Sequence, residues 1–418
     1  MQIICSGTAK YQLTNNFLCV IVYGMKSKYI PRDITVELKE NIKQFSVVAL
    51  TGARQTGKTT LLRHILKGGY EYYDLDDLDL QDRAKRDPKL FLNSLAEKSI
   101  IDEIQYAPEL LRYIKMKVDE KPRIKGRYIL TGSQQFLMMK NLSETLAGRV
   151  GIINLYPLSK DEINKQNSLR DSFTEACIRG TYPGPVTEKK MSSASWYRNY
   201  IQTYIERDVK ILYNIGDLRA FNHFIALLAS RVGQLLNMNS ISVELGVAVN
   251  TIKSWLSILV ASNIVYLLHP YYKNIGKKLV KTPKVYFVDN GLVSYINRIT
   301  TAPAIFSGTL AGPLYENYII MEILKKFKNQ GKDYEIMFFR DHAGLEVDLV
   351  IDKGGKLIPV EIKSGISAKY NTADNIERFV NMYDKENIGM GYLVNLGNKV
   401  ERISEHVKTA VNFDFIEN

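Results

Sequence analysis

Residues 47–66 read VVALTGARQTGKTTLLRHIL. A short apolar run enters Gly52-x-x-x-x-Gly57-Lys58-Thr59, and a helical pattern follows. This is the strand, glycine loop and helix order of a P-loop. The glycines let backbone N–H groups wrap a phosphate chain, and the helix N-terminus adds its positive dipole end. A glycine-rich turn with a snorkelling lysine would show the same letters without the strand before and the helix after. Gly52, Ala53, Arg54, Gln55, Thr56, Gly57, Lys58, Thr59 and Thr60 are therefore the candidate nucleotide-binding residues. Lys58 is expected to reach the β- and γ-phosphates of ATP, and the Thr59 hydroxyl to ligate Mg²⁺.

Partners for the loop follow downstream. EKSIIDEIQ (97–105) predicts a short strand ending in Asp102-Glu103. Asp102 is then a second Mg²⁺ ligand acting through water, and Glu103 orients or deprotonates the attacking water. RYILTGSQQF (127–136) predicts a buried strand with a polar tip, at which Ser133, or Gln134 beside it, senses the γ-phosphate. A plain Gly-Ser loop is the alternative. ETLAGRVG (144–151) offers Arg149, either as a guanidinium finger on the transferring phosphoryl group, within or across chains, or as the partner of a local acid.

GARQTGKTTLL, IIDEIQYAPEL, ILTGSQQ, LAGRV and YPLS occur in an order that resembles a widespread prokaryotic family of AAA-type ATPases. RGTYPGPV, YIERDV and the acidic strands near the C-terminus extend the resemblance from Met25 almost to the end of the chain. It implies ATP binding, and a C-terminal domain similar to the PD-(D/E)xK restriction-endonuclease-like fold. The expected class is α/β: a P-loop (AAA-type) ATPase domain over 25–165, a helical lid or linker over 166–216, a winged-helix domain over 217–300 and a nuclease-like α/β domain over 301–418. In the linker Glu206, Arg207 and Asp208 are left between the nucleotide site and an interdomain contact.

The bulk numbers fit. At 418 residues two to four domains are expected, and 45% apolar with 24% charged residues is the composition of a soluble globular protein. The net charge of +12 points to an anionic partner, most simply nucleic acid. Cys5, Cys19 and Cys177 have no paired spacing, and the five histidines show no metal-ligand spacing, so a zinc site is not expected. No apolar run approaches the roughly 18 residues of a membrane span, and a cytoplasmic location is expected. FLCVIVYG (17–24) is short and lacks a cleavage pattern, so residues 1–24 are read as a non-essential extension, with Met25 as the expected start and a signal peptide as the alternative.

Residues 218–270 carry the winged-helix pattern. One amphipathic helix is followed by a second capped by Ser240, a turn at Gly246, and a third capped by Asn250. Between 217 and 285 eight Lys/Arg face Asp217 and Glu244, leaving +6. The charge favours phosphate contacts. The third helix offers Thr251, Lys253, Ser254 and Ser257 but no arginine or exposed asparagine, so DNA binding with weak sequence preference is expected. Domain docking is the rival use. A homo-oligomer is also among the expectations.

LEVDLVIDKGGKLIPVEIKSG (345–365) predicts two strands around a GG turn. Asp348 lies in the first, and Glu361 and Lys363, two apart, share a face of the second. The nuclease-like resemblance implies that Asp348 and Glu361 bind a divalent metal. It also implies that Glu316, on the preceding amphipathic helix, positions that metal and that Lys363 stabilises the phosphate or orients water. The alternative is an inherited fold whose acids pair with Lys363.

Overall fold

The computed structural model describes residues 29–132, 144–164, 167–206, 217–271, 281–367, 373–383, 387–411 and 413–416. The N-terminal extension, Ser133, Arg207, Asp208 and the Glu206 side chain lie outside what is described.

Helix α1 (Thr35–Gln44) leads into β1 (Val47–Thr51), and the Gly52–Gly57 loop opens α2 (Lys58–Ile65). Then come β2 (Glu71–Asp74), α3 (Leu78–Arg86), α4 (Pro88–Ser94), β3 (Ser99–Asp102), α5 (Leu110–Glu120), β4 (Tyr128–Thr131) and β5 (Val150–Asn154). The five strands form one parallel sheet in the order β2-β3-β4-β1-β5. Strands covered on both faces are apolar along their length, and β1, β3 and β4 are buried at every position. The order reverses around β1, so its C-terminal end is the switch point where such sheets bind ligands.

Helices α6 (Lys160–Ile163), α7 (Leu169–Ile178), α8 (Pro183–Thr187) and α9 (Ser193–Tyr200) follow, and α9 runs into a π-helical turn at Ile201–Glu206. Next come α10 (Leu218–Ser230), α11 (Met238–Leu245) and α12 (Val249–Ala261). They precede an antiparallel pair, β6 (Val265–Leu268) and β7 (Lys284–Phe287). Both expected caps shift. Asn237 caps α11 by accepting the Ser240 N–H at 3.0 Å, so Ser240 lies inside the helix. Helix α12 starts at Val249 behind the extended Ala248, which puts Asn250 in its first turn.

After α13 (Asn290–Ile296) and α14 (Ala302–Ser307), α15 (Ala311–Asn329) crosses the C-terminal sheet. Although its pattern reads as amphipathic, α15 is buried on nearly all sides, including Asn317, Glu322 and Lys325. The sheet is β12-β11-β10-β9-β8, built from β8 (Glu335–Arg340), β9 (Glu346–Lys353), β10 (Lys356–Lys363), β11 (Gly391–Asn395) and β12 (Val407–Ala410), with α16 (Asp374–Val380) before β11. Strands β8, β9 and β10 are antiparallel neighbours, while β10, β11 and β12 run parallel. Gly354 and Gly355, both at positive φ, make the two-residue turn between β9 and β10.

One buried cluster runs from Tyr156 through Trp255 and Tyr318 to Ile416. It crosses the boundaries expected near 217 and 301, so the middle segment and the C-terminal sheet share a core. Among the described residues no single helix is long and apolar enough to cross a membrane.

Candidate functional site

The P-loop leaves the C-terminal end of β1. Gly52 takes φ 142°, and a Cβ there would stand 2.3 Å from the Leu155 carbonyl oxygen, so only glycine fits. Gly57 takes φ 94° as it turns into α2. Gln55 also has positive φ, as befits a loop whose N–H groups turn inward. Thr56 ties the loop together by donating to the Ala53 carbonyl at 2.9 Å, while Thr60 is exposed on the first turn of α2. The Arg54 guanidinium lies 5.8 Å from the Tyr204 ring of the π-helical turn, within cation–π range.

Lys58 is buried and donates to the Gly52 and Ala53 carbonyls at 2.9 and 3.0 Å. Burial pushes its amino group down to about 8, against the opposing pull of Glu103 and Asp102. The Thr59 hydroxyl donates to Asp102 at 2.8 Å, which brings together the two side chains expected at Mg²⁺. Glu103 follows with φ 55°, a left-handed conformation that few non-glycine residues adopt and that is common where geometry serves function.

Two residues at this site were not singled out by sequence. The Tyr72 hydroxyl, on the neighbouring β2, donates to the same Asp102 oxygen as Thr59, and Arg63 lies 4.2 Å over the Tyr72 ring. Burial, and then Asp102, raise the phenol above its ordinary value. Arg32 is buried against the loop. It donates to the carbonyls of Thr56 at 2.8 Å and Tyr156 at 2.6 Å and to Glu162 at 3.0 Å.

Arg149 does not join this site. It precedes β5, and its carbonyl accepts from Val47 N–H at the start of β1, the opposite end of the sheet from the P-loop. Five strand residues at about 3.3 Å each separate the two ends by roughly 16 Å. The guanidinium instead forms a two-pronged pair with Asp119, at 2.5 and 3.0 Å. The local-acid reading fits this chain, and a finger within the same chain does not.

Residues 44–164 match the family described as an AAA domain. The N-terminal parallel sheet with its loop at the end of β1 resembles a P-loop ATPase domain. Residues 170–302 and 311–416 match two domains of unknown function, DUF8612 and DUF4143. An uncharacterized protein of Mycobacterium tuberculosis is 28% identical over 333 residues, covering 79% of this chain and 73% of its own length. One from Haemophilus influenzae is 24% identical over 371 residues, covering 81% and 88%. Among solved structures, a Walker-type ATPase of Pyrococcus abyssi is 16% identical with a TM-score of 0.44, over 65% of this chain and 97% of that one. The RuvB Holliday junction branch migration motor of Thermotoga maritima is 16% identical with a TM-score of 0.28, over 56% and 88%.

The C-terminal acids also converge, but around lysines. Lys363 lies 2.6 Å from Glu361 and 3.6 Å from Asp348, which also accepts the Ile362 N–H at 2.8 Å. Lys284, 2% exposed, enters from β7 and contacts Glu346 at 2.6 Å and Glu316 at 3.1 Å. Tyr286 donates to Glu316 as well. Burial alone would lower the Lys284 amino group, but Glu316, Asp348 and Glu346 together hold it above its ordinary value. Glu361 is pushed up to about 7, first by burial and then by Asp348. Its Oε2 is buried and meets no donor at hydrogen-bonding geometry. Among the described residues, no three His, Cys, Asp or Glu side chains are grouped to hold a metal ion. The metal pair expected from Asp348 and Glu361 is thus neutralised by ammonium groups here. Lys284 is one of the eight Lys/Arg that make residues 217–285 basic. Its burial removes it from the surface, and Arg231 is paired with Glu244 at 2.5 Å.

Proposed function

We propose that this chain hydrolyses ATP with Mg²⁺, that its middle segment is a winged helix associating with DNA, and that nucleotide state acts on a nuclease-like C-terminal sheet. The observation that carries the reading is the Thr59–Asp102 hydrogen bond beside the buried Lys58. Loop N–H groups and Lys58 bind the phosphates, and Glu103 orients the attacking water. Mg²⁺, which Thr59 and Asp102 would hold, neutralises charge on the β- and γ-phosphate oxygens when bound. Tyr72 keeps the Asp102 carboxylate aimed at that position.

A chain of hydrogen bonds supports the coupling. Arg32 links the Thr56 carbonyl to Glu162, which closes a capping box with Ser159. The next N–H, of Lys160, donates to Glu322 on α15 at 2.6 Å, and Lys325 returns to the Leu158 carbonyl at 3.0 Å. Glu316 is six residues earlier on the same helix, about 9 Å along its axis. Backbone amide exchange reads the effect. ATP with Mg²⁺ should slow exchange in β9 and β10 of the wild-type chain and not in Lys58→Ala. Equal exchange with and without nucleotide in wild type would remove the coupling.

A second reading keeps the ATPase but makes the C-terminal sheet a catalytically silent element of a nucleotide-dependent, protein-binding switch. The lysine pairing of Glu316, Glu346, Asp348 and Glu361 favours it. The order α15-β8-β9-β10 with acids on the helix and both central strands fits the restriction-endonuclease-like fold under either reading. Incubating DNA and RNA with the protein and Mg²⁺ or Mn²⁺ separates them: strand scission lost in Asp348→Asn supports the nuclease, and intact substrates support the silent element.

A further inference from the structure

The first turn of α12 presents an asparagine that the expected capping role would have hidden. Asn250 is exposed, and among the described residues its amide has no hydrogen-bond partner. Lys253, Ser254 and Ser257 are exposed on the same face, at the three- and four-residue spacing of one helical stripe. The opposite face is anchored: Ile252, Trp255, Leu256 and Leu259 are buried, and the Trp255 ring packs 5.5 Å from Phe221 and 5.7 Å from Phe224 on α10.

Helices α11 and α12 meet at 110° across a three-residue turn in which Gly246 takes φ 66°. Two helices at this angle on a short glycine turn are the geometry in which the second helix enters the DNA major groove, with its N-terminal residues at base edges. The α12 sequence contains no carboxylate. Of the acids nearby, Glu244 on α11 is already neutralised by Arg231, while Arg219 and Lys281 are exposed in the same segment. The exposed stripe of α12 is polar and carries the Lys253 ammonium, which suits a polyanion.

We propose that α12 reads duplex DNA in the major groove, with Asn250 forming a paired donor and acceptor contact to one adenine and Lys253 contacting an adjacent phosphate. The inference rests on the DNA reading above and sharpens it, since a primary amide matches adenine N6 and N7 and no other base edge as well. Ser254 and Ser257 lie further along the stripe, and their short hydroxyls add little base discrimination, so one adenine position should dominate the preference.

The test selects duplexes from a library with a randomised core, using the full chain at low salt, and then titrates the selected and a scrambled duplex by fluorescence anisotropy. The expected site has one invariant adenine. Asn250→Ala, an exposed change that a thermal melt should show to be folded, should weaken binding to the selected duplex by about tenfold and leave the scrambled duplex unchanged. Lys253→Ala should weaken both alike and reduce the salt slope by about 0.9. Duplex binding without an adenine preference, or with one that survives Asn250→Ala, would overturn the readout and leave phosphate-only association standing. No binding to any duplex at low salt would overturn the readout and the DNA reading together.

Discussion

Replacing Glu361 with glutamine should change how stability depends on pH. Folding carries this carboxyl into β10, where burial first and Asp348 second raise its pKa from 4.5 to about 7, with Lys363 and Asn375 pulling the other way. The folded chain therefore holds the proton more tightly than the unfolded chain. The stability linked to it is fully present below pH 4.5 and is lost as pH rises through 7. At about 1.36 kcal/mol per pH unit, this interval corresponds to about 3 kcal/mol. Glutamine has the same shape and no charge to desolvate, and Lys363 keeps Asp348 and is 44% exposed to water. Urea unfolding midpoints of wild type and Glu361→Gln, taken below pH 4.5 and above pH 7, give the difference directly. The variant should gain on wild type by up to about 3 kcal/mol between the two conditions. Parallel pH profiles would refute the reasoning, because they would mean that the carboxyl pays no desolvation penalty.

Three further outcomes follow from the geometry. Lys284→Met should destabilise the chain by about 3–5 kcal/mol in denaturant unfolding, because Glu316 and Glu346 lose a buried partner; an unchanged midpoint would show that the pair is hydrated. Arg149→Ala should leave ATP turnover unchanged, since the guanidinium faces Asp119 at the far end of the sheet; a loss that deepens on dilution would instead place it on a neighbouring chain's site. Gly52→Ala should lose ATP affinity as measured by nucleotide-dependent thermal shift, because its Cβ would displace the loop from the Leu155 carbonyl; full affinity would mean that the loop tolerates the displacement.

The P-loop and the Asp102-Glu103 pair are legible in sequence because their chemistry is local. The residues lie within a few positions of one another, and the flanking apolar runs say which strands carry them. Even the weak strand before Asp102 forms, since Ser99 is buried and tied to the Ala96 carbonyl. Lys284 is not legible in this way. Its partners lie 32 to 64 residues downstream, and only the docking of β7 against β9 and α15 brings them together. Helix α15 misleads for the same reason: its pattern reads as amphipathic, yet Glu322 and Lys325 satisfy one another and the Leu158–Lys160 segment inside the core. Asn250 reads as a cap because asparagine favours caps. The short turn after Gly246 starts α12 two residues earlier and leaves that side chain outside.

Phosphate release from ATP, measured together with nucleotide binding in wild type, Lys58→Ala and Glu103→Gln, tests the central claim most directly. The account predicts Mg²⁺-dependent turnover in wild type, neither tight binding nor turnover in Lys58→Ala, and binding without turnover in Glu103→Gln. Equal ATP affinity in wild type and Lys58→Ala would contradict it.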